Sequence, residues 1–509
     1  MFLFVTQKSN PKKDKTMKYD VVIIGAGLGG LECGYICAKH GKSVCVLEQG
    51  ITLGGSLQVF KRKGHTFDTG YHYIGAYDKG QSLHRLFDYF NLTHLPFQKM
   101  DSNYFDEVVY KDKSYRFANG YDNFVDALAE EFPSQRQNLK KYVDFLSKVG
   151  DNIFNQFSPK DLDSFYTASL FGQSAYDFLK ETFTNEDLIN VVSGTSLKLE
   201  LKKETLPLYT FAQINDSFIR SAYRLKGGGG QIAESLAADI EKMGGIVKKN
   251  SKVDELVEVD GRIAYARLAN GEEIQGETFI SSAHPSATLE LVKESTKIRK
   301  IYRNRITRLQ NTTGMFTANI KLKKDVLPYL NRNQYFYNTD DVWNVCDGDD
   351  SHIKGALMSY QVPEDGGDYA ENVDIIVPMS WAAVEQWDGT KVMQRGEGYK
   401  VMKQKKAEEC VDFVSKYVPQ LKNAIDTIYT STPLTYKDYV STVDGSAYGI
   451  RKDYNNVMQT LLTPRTPIEN LLLTGQSLNL HGILGVSMTS LFTTAEIVGM
   501  DTVKEDLKL

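Results

Sequence analysis

Residues 19–30 read Tyr-Asp-Val-Val-Ile-Ile-Gly-Ala-Gly-Leu-Gly-Gly, an apolar strand that runs directly into a glycine-rich turn. A helical segment follows and leads to a second apolar strand over 43–47, which ends at Glu48. A helix that begins at such a turn directs free backbone N–H groups and the positive end of its dipole at one point, which favours a pyrophosphate. Glu48 lies 23 residues after the first glycine, where a carboxylate can accept both hydroxyls of a ribose. The three positions of the dinucleotide-binding fingerprint are filled by Gly25, Gly27 and Gly30.

A second group of glycines follows without interruption. Gly54 and Gly55 come just after Glu48, and residues 64–75 read Gly-His-Thr-Phe-Asp-Thr-Gly-Tyr-His-Tyr-Ile-Gly. An isolated fingerprint is also compatible with a tight turn in another α/β fold, but the strand, helix and carboxylate around this one favour a nucleotide site. Together these segments resemble the FAD-binding start of the glutathione-reductase-like and amine-oxidase-like flavoproteins. The resemblance implies an α/β fold with a Rossmann-like FAD-binding domain.

Composition narrows the class of protein. A chain of 509 residues exceeds one small core, so we expect two interleaved domains. The net charge of −4 argues against the basic surface that nucleic-acid binding needs. The five cysteines form no CxxC pair and no zinc-ligand spacing, so we predict no metal site, and a sparse, odd set suits a reducing compartment. Cys33 and Cys37, one helical turn apart, are interpreted as core residues.

The first residues do not have the pattern of a targeting segment. Residues 1–5 are apolar but too few for a signal peptide or a membrane span, and the chain then becomes polar and basic. We interpret residues 1–16 as a disordered or non-native extension and Met17 as the natural start or the first ordered residue. No other window reaches about 18 consecutive apolar residues. We expect a cytoplasmic protein with at most a peripheral membrane contact.

Hydrophobic periodicity divides the rest of the chain. A separate helical layer is predicted from the segments 82–91, 121–131 and 135–154. The nucleotide pattern resumes at Tyr223 with four glycines over 227–230, followed by a helix over 231–243. A β-meander over 246–275 then leads to a buried strand over 278–282, with Asp260-Gly261 and Asn270-Gly271 as its turns. The later segments are predicted as strands over 313–322, 353–361 and 373–381 and a helix over 399–417.

The C-terminal region repeats the strand-to-helix pattern. Residues 470–476 read Asn-Leu-Leu-Leu-Thr-Gly-Gln, a buried strand that ends at a glycine, and an apolar helix begins after His481. A second helix N-terminus is a second site that favours negative charge. The predicted FAD-binding domain therefore consists of residues 17–80, 222–290 and 451–509. The interleaved α+β substrate domain takes residues 81–221 and 291–450.

The order of these motifs resembles a particular group of flavoproteins, the retinol saturase branch of the phytoene desaturase and carotenoid isomerase family. The resemblance covers most of the chain from Met17 and is strongest at both ends. The segments that carry it are 67–75, 223–233, 281–285, 431–449 and 473–476. Gln476 departs from the wider superfamily, where an acidic residue is common, and Ser477 replaces the acidic residue that follows in the saturases.

The resemblance implies FAD as the cofactor and assigns residues to it. The glycine turn would hold the pyrophosphate, Glu48 the adenosine ribose, and Val253 the adenine through its backbone. Residues 54–56 and 475–476 would line the diphosphate and ribityl path, and 485–486 would lie at the flavin ring. The complete predicted set is Gly25, Ala26, Gly27, Gly29, Gly30, Glu48, Gly54, Gly55, Ser56, Val253, Gly475, Gln476, Gly485 and Val486.

The resemblance also implies an oxidoreductase that acts on carbon–carbon double bonds of an apolar isoprenoid or polyene-like substrate. A retinol-saturase-like reductase is the first hypothesis, and desaturation or cis–trans isomerisation is the alternative. The candidate catalytic residues are His72, Tyr73 and His481, which would supply protons or orient the substrate. A histidine on such a segment can equally be a structural residue.

Two further alternatives belong to other classes. Rab-escort and GDP-dissociation-inhibitor proteins resemble this fold and bind prenyl groups without flavin catalysis, and flavin amine oxidases share the cofactor. The intact glycine fingerprint with Glu48 favours a nucleotide-binding enzyme over an escort protein. We find no second complete nucleotide domain for NAD(P)H, so we expect an external electron donor or acceptor, or a partner flavoprotein.

Overall fold

The computed structural model describes residues 18–157 and 162–509. The predicted extension over 1–16 and the predicted start at Met17 lie outside these residues. The strands are β1 Lys18–Ile24, β2 Val44–Leu47, β3 Val59–Arg62, β4 His65–Asp68, β5 Ile74–Gly75, β6 Phe97–Lys99, β7 Asp106–Tyr110, β8 Lys113–Phe117, β9 Ala222–Leu225, β10 Ile246–Lys248, β11 Val253–Val259, β12 Arg262–Leu268, β13 Glu273–Ser281, β14 Gly314–Leu322, β15 Asn333–Tyr337, β16 Gly355–Tyr360, β17 Asn372–Met379, β18 Ile425–Ser431 and β19 Leu471–Leu473. The α-helices are α1 Leu28–Lys39, α2 Ser82–Tyr89, α3 Tyr121–Ala129, α4 Arg136–Asp151, α5 Leu162–Leu170, α6 Ala175–Thr182, α7 Glu186–Ser193, α8 Leu208–Arg220, α9 Gly230–Lys242, α10 Pro285–Leu291, α11 Lys300–Thr307, α12 Glu397–Ser415, α13 Leu421–Ala424, α14 Pro433–Val440, α15 Val457–Thr460, α16 Gly482–Val498 and α17 Met500–Leu507.

The first sheet contains the strands that surround the glycine turn. Its order is β10-β2-β1-β13-β12-β11, and β19 pairs with the far half of β13. The strands β10, β2, β1, β13 and β19 are parallel, as the predicted Rossmann-like fold requires. Ile24 lies opposite Leu47 and Ser281, and Ser281 lies opposite Leu473. The carboxyl ends of four strands from both ends of the sequence therefore meet at one edge.

Apolar residues on both faces of β1 explain why this strand is central. Residues 21–24 are all buried, and α1 packs on one face together with α9 and α16. The prediction of two separate strands over 272–275 and 278–282 is wrong, because one continuous strand, β13, spans both segments. Its first half pairs antiparallel with β12 and its second half pairs parallel with β19, so the predicted meander belongs to the sheet itself.

The second sheet has the order β18-β14-β17-β16-β15-β7-β8. The predicted strands over 313–322, 353–361 and 373–381 correspond to β14, β16 and β17, and the predicted helix over 399–417 corresponds to α12. Strands β7 and β8 were not predicted, because Asp106 and Glu107 put charged residues at positions that the fold buries. Strand β7 pairs in parallel with β15, more than 200 residues later in the chain, and so extends this sheet into the helical segment.

A small sheet of order β5-β9-β6 connects the region after β4 with the segment before α9. A four-residue strand, β9, thus precedes the glycine run over 227–230. The helices of residues 121–220 pack beside β7 and β8 in one hydrophobic core. In the part of the chain that the structure describes, no helix combines the length and the apolar character that crossing a bilayer requires. The predicted division into two domains stays a prediction.

Candidate active site

The predicted pyrophosphate loop lies where β1 passes into α1. A Cβ atom at Gly30 would overlap the carbonyl oxygen of Gly25, so the close packing of helix and strand needs glycine at this position. Gly27 precedes the first helical residue, and no described atom lies within 4 Å of a Cβ placed there. The N-terminus of α1 therefore faces free space at the point where a ligand would approach the backbone.

Glu48 reaches back to this loop from the end of β2. One carboxylate oxygen accepts a hydrogen bond from the Ala26 N–H at 2.9 Å, and the other accepts one from the Gly50 N–H at 2.7 Å. The Glu48 carbonyl accepts from the Ser251 N–H at 2.7 Å, two residues before Val253. Glu48 and Val253, the residues predicted to bind the ribose and the adenine, therefore lie near the glycine turn in the folded chain.

The second glycine pair packs on the first. The Gly54 N–H donates to the Ala26 carbonyl at 2.8 Å, and a Cβ at Gly55 would lie 3.3 Å from the Gly27 Cα atom. Ser56 belongs to the short 3₁₀ turn Gly55–Leu57 that starts here. A Cβ at Gly70 would lie 3.1 Å from the Ser56 carbonyl oxygen, so the segment that contains the predicted catalytic residues begins beside this turn.

The C-terminal glycine meets the N-terminal loop directly. A Cβ at Gly29 would lie 3.2 Å from both the Cα atom of Gly475 and the Cγ1 atom of Val486. Gly475 follows β19 by two residues, and its neighbour Gln476 is half-buried. A Cβ at Gly485 would lie 2.5 Å from the Leu480 carbonyl oxygen, so the residues before α16 pack directly against its first turn. Two helix N-termini, those of α1 and α16, thus lie side by side.

A buried carboxyl group joins these two helices. Glu32 on α1 is fully buried and accepts hydrogen bonds from Ser487 at 2.5 Å and from Ser490 at 3.0 Å, both on α16. Burial raises the pKa of Glu32 to about 8. Cys33 and Cys37 are fully buried on the same helix, in agreement with their interpretation as core residues.

The predicted catalytic residue Tyr73 lies in a buried polar network. Its hydroxyl donates to Asp106 at 2.9 Å and lies 2.7 Å from the Tyr335 hydroxyl. The ammonium group of Lys198 donates to the same Tyr73 oxygen at 3.4 Å. Asn333 donates to the second oxygen of Asp106 at 3.0 Å. A cation and a carboxylate are therefore connected through one phenol.

Burial shifts the acid–base properties of both ends of this network. It lowers the pKa of Lys198 to about 8, although Asp106 acts in the opposite direction, and it raises the pKa of Asp106 to about 6. The pKa of Tyr73 rises well above 10, because the phenolate would be buried and close to Asp106. At neutral pH the network holds a cation, a neutral phenol and a carboxylate.

His481 is connected to the same network. Its Nε2–H donates to the Lys198 carbonyl at 3.1 Å, and its ring lies 4.5 Å from the ring of Tyr448. Burial lowers the pKa of His481 to about 4, so the imidazole is neutral. His481 is also the N-cap residue of α16, where the helix dipole disfavours an imidazolium.

His72 is separated from the other two candidates. Together with Tyr71 it lines a polar cavity between the β9 region and the second sheet. Burial and the nearby Arg224 lower the pKa of His72 to about 4. The structure therefore brings Tyr73 and His481 together at Lys198 and places His72 at a different site.

The sequence did not single out several buried charges of this region. Lys198 and Asp106 lie outside the segments that carry the motif resemblance; Lys198 stands between two leucines, whereas Asp106 is followed by a second charged residue, Glu107. Lys452 is also buried and donates to the carbonyls of Thr460 at 3.0 Å and Ser477 at 2.7 Å, directly after Gln476. Burial lowers the pKa of Lys452 to about 7.

Comparison with known proteins agrees with this architecture. A family model described as an NAD(P)-binding Rossmann-like domain matches residues 23–90. The all-trans-retinol 13,14-reductase of Danio rerio is 25% identical, over 94% of this chain and 86% of its own. The chloroplastic prolycopene isomerase of Daucus carota is 23% identical, over 86% of this chain and 72% of its own.

Among solved structures, an oxidoreductase from Methanosarcina mazei shares the fold, with a TM-score of 0.62 and 16% identity over 93% of this chain and 99% of that one. The retinol reductases and the carotenoid isomerases match this chain along most of its length, not only over the nucleotide fingerprint. This is the group that the order of the motifs indicated. The chain therefore fits the retinol saturase and carotenoid isomerase family of oxidoreductases.

Proposed function

We propose that this protein is an FAD-dependent oxidoreductase that reduces a carbon–carbon double bond of an apolar isoprenoid or polyene. The contact between Gly29 and Gly475 carries this proposal, because it joins two glycine-ended strands and two helix N-termini from opposite ends of the chain. One bound dinucleotide can then be held by both. The retinol reductase relatives support the direction of the reaction.

The residues at this junction fit FAD. The free space beside Gly27 can admit a pyrophosphate, and the carboxylate of Glu48 already lies against the loop at Ala26. We assign the diphosphate to the loops around Gly27 and Gly54, and the ring end to Gly475, Gln476, Gly485 and Val486. In this proposal residues 17–80, 222–290 and 451–509 form the FAD-binding domain, and 81–221 and 291–450 form the substrate domain.

FAD, when bound, supplies hydride transfer to or from carbon. The protein then has to position the substrate and provide a proton. Tyr73 is suited to the second task, since its hydroxyl lies between the Lys198 ammonium, which donates to it, and the Asp106 carboxylate, which accepts from it. His481 holds the Lys198 backbone in place through its Nε2–H.

The surroundings of this network suit an apolar substrate. The Phe218 ring lies 4.3 Å from the Tyr73 ring and 4.3 Å from the Lys198 nitrogen, and Tyr448 covers His481. Ile483 and Leu484, in the first turn of α16, are only partly buried. We propose that these side chains bind the hydrocarbon part of the substrate and that electrons come from an external donor.

An anaerobic reduction experiment tests the proposal. The purified protein, loaded with FAD and photoreduced, is mixed with retinoids, carotenoids, unsaturated sterols and quinones, and the products are analysed by mass spectrometry. We expect reoxidation of the flavin by a polyene and a product that has gained two hydrogens. Reoxidation by quinones alone, or by none of the compounds, would contradict the proposal.

Cis–trans isomerisation is a second candidate, because the prolycopene isomerase of Daucus carota also matches most of the chain. The same experiment separates the two. An isomerase returns a product of unchanged mass with altered chromatographic retention, whereas a reductase returns a heavier one.

A further inference from the structure

Lys452 is a buried amine close to the predicted ring end of FAD. The residue is 9% exposed, and its nitrogen donates to the carbonyls of Thr460 at 3.0 Å and Ser477 at 2.7 Å. Ser477 follows Gln476, and a Cβ at Gly449 would lie 3.4 Å from the Cγ atom of Gln476. The segment that contains Lys452 therefore packs against the loop to which the ring end is assigned.

No carboxylate pairs with Lys452 in the part of the chain that the structure describes. Both of its acceptors are neutral backbone carbonyls, and burial is the cause that lowers its pKa. The carboxylate of the next residue, Asp453, accepts from the Asn455 N–H at 2.9 Å and from the Asn456 amide at 2.7 Å instead. An unbalanced buried charge is costly, so this position is suited to a group that brings negative charge.

The other titratable groups around Lys452 do not supply that negative charge. Burial lowers the pKa of His284 and of His481 to about 4, and the charge of Lys452 adds to both shifts, so both imidazoles are neutral. Arg451 is paired with Glu200 through two hydrogen bonds. Because His481 is the N-cap of α16, the charge of Lys452 acts at the helix end where the ring contacts are predicted.

The contacts of Lys452 can be kept in both of its protonation states. A neutral amine has two N–H bonds, and the carbonyls of Thr460 and Ser477 accept both. Protonation adds a third N–H, which no group of the described chain accepts. Since the pKa of Lys452 is about 7, its charge can change near neutral pH while the loop stays in place. A negative charge nearby favours the ammonium form.

We propose that Lys452 balances the negative charge that the flavin ring gains on reduction, and that its amine takes up a proton in this step. The inference rests on the proposed function and adds a residue that sets the reduction potential of the cofactor. Two electrons and one proton enter the ring, which leaves one additional negative charge there, and the amine binds one further proton from the solvent. A positive charge near the ring favours the reduced state.

The reduction potential of the bound flavin tests this role without any substrate. The FAD-loaded protein is titrated with dithionite against dyes of known potential at pH 6 and at pH 9. Lys452→Met keeps the length of the side chain and removes the charge, so at pH 6 its potential should lie about 30 mV or more below that of the unaltered protein, which is tenfold in the two-electron equilibrium.

The difference between these two proteins should nearly disappear at pH 9. The charge is fully present below the pKa of about 7 in the oxidised protein, and it is lost as the pH rises through the higher pKa of the reduced protein. Lys452→Arg stays charged at both pH values, so at pH 9 its potential should exceed that of the unaltered protein by about 30 mV.

Lys403→Met is the matched control. Burial also lowers the pKa of Lys403, which lies on α12 far along the chain from the predicted ring contacts. Its potential should equal that of the unaltered protein at both pH values. Unfolding temperatures show whether each variant is folded, and Lys452→Gln replaces Lys452→Met if the latter is not.

Equal potentials of Lys452→Met and the unaltered protein at pH 6 would overturn the inference. A difference that is the same at pH 6 and pH 9, or that Lys452→Arg shares with Lys452→Met, would also overturn it, because a purely structural role of Lys452 gives that result. These outcomes leave the proposed function intact if polyenes still reoxidise the reduced flavin. A folded protein that binds no FAD would remove both.

Discussion

The two halves of the candidate site are built in different ways. The nucleotide side is made of backbone, with glycines that meet at Gly29 and Gly475 and N–H groups at two helix N-termini. The substrate side is made of side chains, with Lys198, Tyr73 and Asp106 joined in a buried network. A backbone site needs particular residues at fixed spacing, whereas a side-chain network needs only that distant residues meet in the fold. The first kind is visible in a sequence and the second is not.

Glycine substitutions give the largest expected effects. They distinguish the glycine that the fold of the backbone half needs from the glycine that its ligand needs. Gly30→Ala places a Cβ on the fixed carbonyl of Gly25, so we expect a loss of at least about 3 kcal/mol of unfolding free energy or no soluble protein. Gly27→Ala meets free space and should keep the unfolding free energy within about 1 kcal/mol, yet bind FAD at least about tenfold more weakly.

Urea unfolding and FAD titration measure the two quantities. The backbone account fails if Gly27→Ala binds FAD normally, or if Gly30→Ala is as stable as the unaltered protein.

Removal of one hydroxyl group tests the side-chain half. Tyr73→Phe disconnects Lys198 from Asp106, and turnover should fall by about 100-fold while the FAD content stays unchanged. Tyr110→Phe is the matched control, because it removes a buried hydroxyl from β7 that bonds to the Asp340 carbonyl instead. Stopped-flow reoxidation of the reduced flavin measures the rate. Equal rates in the two variants would remove Tyr73 from the mechanism.

The pH dependence of turnover tests the charge of the same network. Because burial lowers the pKa of Lys198 to about 8, the ammonium form predominates below that pH and is lost above it. Turnover should therefore fall about tenfold between pH 7 and pH 9. Lys198→Arg keeps its charge and should move this decline to higher pH. A decline at the same pH in both proteins would assign it to another group.

The smallest effect on function is expected for a substitution of Glu32, the buried residue that joins helices α1 and α16 of the backbone half. Burial raises the pKa of Glu32 to about 8, so the folded state holds a proton that the unfolded state releases near pH 4.5. Stability should fall as the pH rises from about 4.5 through about 8. Glu32→Gln lacks this loss and should gain about 2–4 kcal/mol over the unaltered protein between pH 5 and pH 8.5.

FAD content and turnover should be nearly unchanged in this variant. Urea unfolding at the two pH values provides the measurement, and a difference between the proteins that does not change with pH would show that Glu32 is ionised in the folded state.

The same difference between the two halves explains which parts of the molecule could be predicted from the sequence. The spacing of Gly25, Gly27 and Gly30 specified the first turn, and the motif around Gly475 specified the second, because each is a local backbone requirement. The parallel pairing of β1 with β13, and of β13 with β19, is the arrangement that the predicted fold class requires. Strand β7 was missed, since Asp106 and Glu107 are satisfied in a buried strand by partners from other elements, among them Asn333 and Gln334, more than 200 residues later in the chain.

The catalytic candidates show the same limit. His72 and Tyr73 are neighbours in sequence, yet one lines the polar cavity and the other joins the proton network, because successive side chains of an extended segment point in opposite directions. Lys198 became part of the site only when the fold placed it between Tyr73 and His481. Sequence spacing alone contains no information of that kind.

The flavin content of the purified protein tests the central claim most directly. The protein is incubated with FAD, separated from free cofactor, and examined by its absorption spectrum and by quantification of the flavin that it releases on denaturation. The junction of Gly29 with Gly475 predicts one FAD per chain and the absorption bands of a bound flavin. A folded protein that stays colourless and releases no FAD would contradict the account.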